Sequence, residues 1–232
     1  MPAGMLSTEH VNMNGIVILT FHGIGEPSRW LYPGENRVWL SERAFLSILD
    51  VVRDRPDLRI TFDDGNASDA VVAVPALVER DLVAEFYIVA GHLGAPGYLS
   101  AEQLHILSRA GMKVGSHGMT HRPWPDLTDR ALDEEIVEAR NVLGKVVGAR
   151  IDQAACPFGA YDRRVLRHLR RAGYTRVYSS DGGRAKSGAW LQPRNTVRST
   201  DDASTIERLI DEPQPFSGVI ARKTKVFLKR LR

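Results

Sequence analysis

Two acids stand side by side in Thr61-Phe62-Asp63-Asp64-Gly65, at the end of the apolar run Leu58 to Phe62. A carboxylate can hold a cation or accept a proton, so a neighbouring pair can divide the work, one as ligand and the other as free base. Successive strand residues point to opposite sides, which allows that division. The same composition also suits an ordinary turn. A second segment, Ser116-His117-Gly118-Met119-Thr120-His121, places two histidines at i and i+4 after the run Lys113 to Gly115. Wound into a helical turn, they would face one ion. Two imidazoles and one carboxylate, with a fourth position left to water, form the donor set of a catalytic zinc site. A third segment, Ala155-Cys156-Pro157-Phe158-Gly159-Ala160-Tyr161, runs from a strand end into a Pro and Gly turn. Its backbone N–H groups, that of Phe158 among them, can face an oxyanion, and an ordinary strand-to-helix turn is the alternative.

These segments need a scaffold that brings strand ends together. Short β-branched runs at Ile16 to Phe21, Leu58 to Phe62, Glu85 to Val89, Lys113 to Gly115, Ile151 to Cys156 and Thr175 to Tyr178 read as strands. Between them, Ser41 to Arg53 carries Phe45, Leu49 and Val52 on one helical face, and Ser100 with Gln103 forms a capping-box signature. Thr128 to Leu143 and Tyr161 to Ala172, the latter stopped by Gly173, complete the helical stretches. This βαβα order implies a mainly parallel α/β sheet, an open doubly wound one or a closed barrel, and both put sites at strand C-termini. The Gly- and Pro-rich piece from Gly23 to Gly34 reads as a long functional loop.

With 232 residues, 43% of them hydrophobic, the chain can bury one substantial core, and a single domain over residues 1–217 with a basic tail over 218–232 is expected. A net charge of +3 is too weak to argue for a nucleic-acid partner. The lone Cys156 precludes an intrachain disulfide and reads as a small buried apolar group, not a nucleophile. Met1 to Asn14 lacks the basic start and apolar run of a secretory signal, and no membrane-length apolar stretch occurs, so a cytoplasmic or peripheral location is expected. The tail from Ala221 to Arg232 joins six basic residues to Val226, Phe227, Leu228 and Leu231 and can rest on anionic lipid; a solvated helix end or disordered tail is the alternative.

The ordered set T-F-D-D-G, S-H-x-x-x-H and P-F-G-x-Y resembles the polysaccharide deacetylase family, carbohydrate esterase family 4. Leu19-Thr20-Phe21-His22, Ala84 to Val89 and Pro193 to Val197 resemble it too. The resemblance implies an irregular barrel of about seven β/α units and a bound divalent ion, commonly zinc. It implies Asp63 as base and Asp64, His117 and His121 as ligands, with an N-acetylated sugar or glycan as substrate. Two departures stand out. The family commonly has an arginine two residues before the motif proline, where this chain has Ala155, and a late-strand histidine, which is missing here because His168 sits in an arginine-rich helix. Arg194 is the candidate replacement for the arginine beside Asp63. His22 stands where a branch of the family has a histidine after its first strand, which makes it the candidate general acid. A small-molecule amidohydrolase and a non-catalytic metal- or glycan-binding domain are the competing readings.

Overall fold

The computed structural model describes residues 15–212 and 216–231; the signal-peptide reading of Met1 to Asn14 lies outside the described residues. The chain alternates strand and helix: β1 (Ile16–Phe21), α1 (Glu42–Val52), β2 (Leu58–Asp64), α2 (Val74–Glu79), β3 (Ala84–Ile88), α3 (Ala101–Arg109) and β4 (Lys113–Ser116). Then come α4 (Asp129–Asp133), α5 (Ala139–Val147), β5 (Gln153–Ala155), α6 (Arg163–Arg171), β6 (Arg176–Ser179), β7 (Arg184–Ala185), β8 (Leu191–Pro193), β9 (Asn195–Thr196), α7 (Ala203–Asp211) and α8 (Phe216–Leu231).

Strands β1 to β6 pair in sequence order, all parallel, and β8 pairs parallel to β6. One continuous segment then closes the barrel: after Arg194 the chain bends, and β9 pairs with β1. Counting β8–β9 as one bent stave, the parallel strands form the expected irregular barrel of seven units, with β7 added antiparallel on β1.

Alternation along the strands separates two environments. Phe21, Phe62 and Phe86 face outward and stack, Phe62 on Phe86 at 4.5 Å between ring centroids, and Phe45 of α1 meets Phe21 edge-on at 5.3 Å. This shell between strands and helices is the main core. The opposite strand faces carry Ile18, Tyr87, Ala155, Tyr178 and Ala185, together with the buried polar residues Thr20, Thr61, Glu85 and Arg194.

Ser41 caps α1 by accepting from Ala44 N–H, and the Ser100–Gln103 capping box is present at α3. The stretch expected as one helix from Thr128 to Leu143 is divided by a π-helical turn at Glu134–Glu138. The tail is helical from Phe216, two residues before the expected boundary, and docks on the barrel: Lys229 Nζ donates to Asp181 Oδ1 (2.6 Å) and to Gly159 O (2.8 Å). No helix among the described residues is long and apolar enough to cross a membrane.

Candidate active site

Both acids belong to β2 as its last residues and are not released beyond it, as the sequence reading had them. Strict alternation would send them to opposite faces. Instead Asp64 adopts a left-handed φ of 78°, and both carboxylates turn toward the same rim: His117 Nε2 lies 3.8 Å from Asp63 Oδ2 and 3.6 Å from Asp64 Oδ1. A non-glycine residue in that region costs of order 1–3 kcal/mol, and such strain gathers at functional sites.

The helical turn expected for His117 to His121 does not form; the segment is a loop, with Gly118 at φ 85° and His121 at φ 55°. Glu135, a fully buried carboxylate in the π-helical turn, braces this loop. It accepts from Met119 N–H (2.8 Å), Thr120 N–H (3.2 Å), the Thr120 hydroxyl and Trp124 Nε1–H (3.4 Å), tying the loop to the helical stretch behind it. A Cβ at Gly118 would collide with that carboxylate. The loop nevertheless brings the two imidazoles together, with ring centroids 5.0 Å apart.

His117 Nδ1 lies 2.9 Å from Ala155 O, and only a protonated nitrogen bonds a carbonyl, so Nε2 keeps its lone pair for the site. Burial pulls the His117 pKa down to about 4, which holds the ring neutral. His121 Nε2 is 3.3 Å from Asp64 Oδ1. The ligand atoms of Asp64, His117 and His121 lie within 4.8 Å of one another. Asp64 Oδ1 is buried and accepts no hydrogen bond, an expensive state unless a cation answers it. The donor types, neutral ring and orphaned oxygen together fit a divalent ion.

Asp63 is held differently. Arg194, at the bend between β8 and β9 and fully buried, grips it with two parallel bonds, Nη1 to Oδ1 (2.7 Å) and Nη2 to Oδ2 (2.6 Å). The guanidinium lies near the rings of Tyr87 (5.3 Å) and Tyr178 (5.6 Å), whose hydroxyls both donate to Glu85 Oε2. Burial would raise the Asp63 pKa, but the Arg194 charge outweighs it and keeps the carboxyl well below the usual range. Each carboxylate oxygen retains a second lone pair. Ala155 leaves its position without a charge, and the arginine beside Asp63 arrives from the barrel's closing stave.

His22 follows β1 and lines the same cavity, of about 740 Å³, as Asp63, Asp64, His117 and His121. Its buried Nδ1 has no hydrogen-bond partner among the described residues. Phe158 sits in a 3-10 turn with φ 56° and ψ 14°, and its exposed ring covers His121 at 4.5 Å between centroids. Of the four non-glycine residues with positive φ among the described residues, Asp64, His121 and Phe158 are at this site.

The sequence reading missed several groups. Glu135 was one, although an acid among Leu132, Ile136, Ala139 and Leu143 on an apolar helix face signals a buried partner. Asp69 was another: it is buried with neither carboxylate oxygen bonded, and burial with the charges of Asp64 and Asp63 pushes its pKa well above the ordinary value. The cavity is also lined from the long loop, where Arg29 stacks on Tyr98 at 4.5 Å and is held by Glu35 and Asn66. His168 pairs with Asp133 at 2.8 Å on α6, and the buried Cys156 thiol, pushed up to about 12, is no nucleophile.

A sequence model of the polysaccharide deacetylase family matches residues 50–177, more than half of the chain. The relative YxkH of Bacillus subtilis (strain 168) is 21% identical over 171 residues, 73% of this chain; the chain spans 61% of that relative's length. Among solved structures, the Streptococcus pyogenes deacetylase PplD in complex with acetate is similar at a TM-score of 0.74 and 20% identity, covering 86% of this chain and 99% of its own. IcaB from Ammonifex degensii gives 0.70 and 21%, covering 84% and 97%. At these identities the likeness to the solved structures is one of fold.

Proposed function

Because the chain belongs to the polysaccharide deacetylase family, we propose that it hydrolyses the N-acetyl group of an N-acetylated sugar or glycan, giving acetate and a free amine. The observation that carries this reading is the asymmetry of two adjacent carboxylates. Asp63 is neutralised in place by Arg194, whereas Asp64 presents an unbonded oxygen to two imidazoles. Asp64, His117 and His121 would hold a divalent ion, most simply zinc from the donor set, which when bound supplies Lewis-acid polarisation and acidifies a water.

Asp63 removes the proton of the attacking water through a lone pair that Arg194 leaves free. Arg194 keeps that carboxylate ionised and fixed, and a base so weak serves only where the water is itself acidified. The Phe158 N–H donates to the oxygen on which charge develops as the carbonyl is attacked; one such donor is typically worth about 3 kcal/mol. His22 gives its proton to the departing nitrogen, so that the C–N bond breaks to a neutral amine. Phe158 and the Arg29–Tyr98 stack both line the cavity, and flat aromatic faces suit a sugar ring.

The test uses Asp63→Asn with acetate release from N-acetylated oligosaccharides and metal analysis in parallel. Metal content should stay at the wild-type level while turnover falls by about 10³-fold, within the range for general base catalysis. Near-normal turnover, or loss of the ion, would reverse the roles given to the two acids.

A further inference from the structure

An ordinary surface helix turns its apolar stripe inward and its charges to water. Helix α8 carries apolar residues outward as well as inward. Its half-buried residues Val219, Arg222, Val226 and Lys229 lie on one side, where Lys229 bonds Asp181 and Gly159 O and sits 4.7 Å from the Tyr161 ring centroid. At 100° per residue, Ile220, Phe227 and Leu231 fall together on the opposite side, with Leu228 at its edge. These four are 50%, 60%, 62% and 54% exposed, in that order. The segment from Phe216 to Arg232 contains Arg222, Lys223, Lys225, Lys229, Arg230 and Arg232 and no acidic residue.

We propose that this outward face of α8 is a docking surface for an anionic lipid bilayer, lying in the headgroup region with Phe227 and Leu231 inserted and the exposed Lys223 on a phosphate. The charge decides among occupants. A second copy of the chain would bring an equally basic helix against this one, and like charges oppose that pairing. A bilayer bearing anionic headgroups supplies both the apolar medium and the counter-charge. Because Lys229 ties the helix to the carbonyl next to Phe158, the seated helix would hold the rim of the cavity close to the membrane surface. The proposal does not depend on the chemistry assigned to the cavity.

Co-sedimentation of the full chain with vesicles tests it. Binding to phosphatidylcholine vesicles containing phosphatidylglycerol should exceed binding to phosphatidylcholine alone by about tenfold or more and weaken as salt is added. The double variant Phe227→Ser, Leu231→Ser should lose about tenfold or more of that binding, since each side chain removes its apolar area from water only when inserted. Lys223→Glu should weaken binding to the anionic vesicles alone. All these positions are exposed, and an unchanged far-ultraviolet spectrum and thermal transition would exclude misfolding as the cause. No preference of the wild type for anionic vesicles, or equal binding by the double variant, overturns the proposal. So does a wild-type dimer in sedimentation velocity that the double variant abolishes without any vesicle binding, which would give the face to a second copy.

Discussion

The two halves of the rim solve the problem of placing a charged group in different ways. The half built from β1 to β4 carries its groups where strands end: His22, Asp63, Asp64, His117 and His121 each belong to a strand or the loop directly after it. The half built from β5 to β9 supplies braces. Ala155 gives a carbonyl to His117 Nδ1, Phe158 gives a backbone N–H and a ring over His121, and Arg194 reaches Asp63 from the bend that closes the barrel. On the proposed reading, the first half supplies the reacting groups and the second orients them. An arginine placed at the closure bend is buried by the fold itself, so one residue completes the barrel and grips the Asp63 carboxylate.

The comparison breaks most decisively at His117. His117→Ala removes a ligand and should leave the site without metal and acetate release without a detectable rate; wild-type metal occupancy in that variant would take the first half's assignment down. Next is Arg194→Met, which leaves the Asp63 carboxylate buried and unpaired, a change that typically costs about 3–5 kcal/mol. Chemical denaturation should show a lowered midpoint, and adding Asp63→Asn to Arg194→Met should recover much of the loss. Additive destabilisation in that cycle would mean the pair is not coupled. The sign with pH follows from the depressed Asp63 pKa: the pair's stability is present above the ordinary aspartate range and is lost as pH falls through the lower folded value, so the wild-type advantage over the double variant should shrink in acid.

A smaller effect is expected at His22. His22→Ala should lower kcat on an N-acetyl substrate by about 10²-fold with metal content unchanged, while an activated aryl acetate, whose leaving group departs without protonation, should be hydrolysed almost normally. An equal fall on both substrates would transfer the acid role elsewhere. The smallest effect belongs to Phe158→Gly, which keeps the backbone N–H and suits the positive φ. We expect a change in kcat of under about tenfold together with a raised KM, because the ring walls the cavity and the amide does the chemistry. A loss of about 10²-fold or more in kcat would place the ring itself in the reaction.

Much of this was readable in one dimension. The runs that became β1 and β4, the capping box of α3, and the chemical types at positions 63, 64, 117 and 121 follow from local pattern, because strand alternation, cap chemistry and ligand type depend on neighbours in sequence. The elements that escaped are those whose reason lies elsewhere in the molecule. The two-residue β7 and β9 and the three-residue β8 exist because β1 and β6 have edges to fill, and so short a run carries no periodicity of its own.

The sequence by itself determined which atoms were available: two carboxylates, two imidazoles, the Arg194 guanidinium and a βαβα scaffold that sends strand ends to one rim. Tertiary structure alone decided what each would do. Asp63 and Asp64 are chemically identical and adjacent, and only Arg194, 131 positions away in sequence, distinguishes them by taking both oxygens of one. The histidine loop is braced by the Glu135 carboxylate, and the tail is held to the barrel where Lys229 meets Asp181. In each case a buried charge must find its partner, and that partner is named by distance in space, which no local pattern encodes.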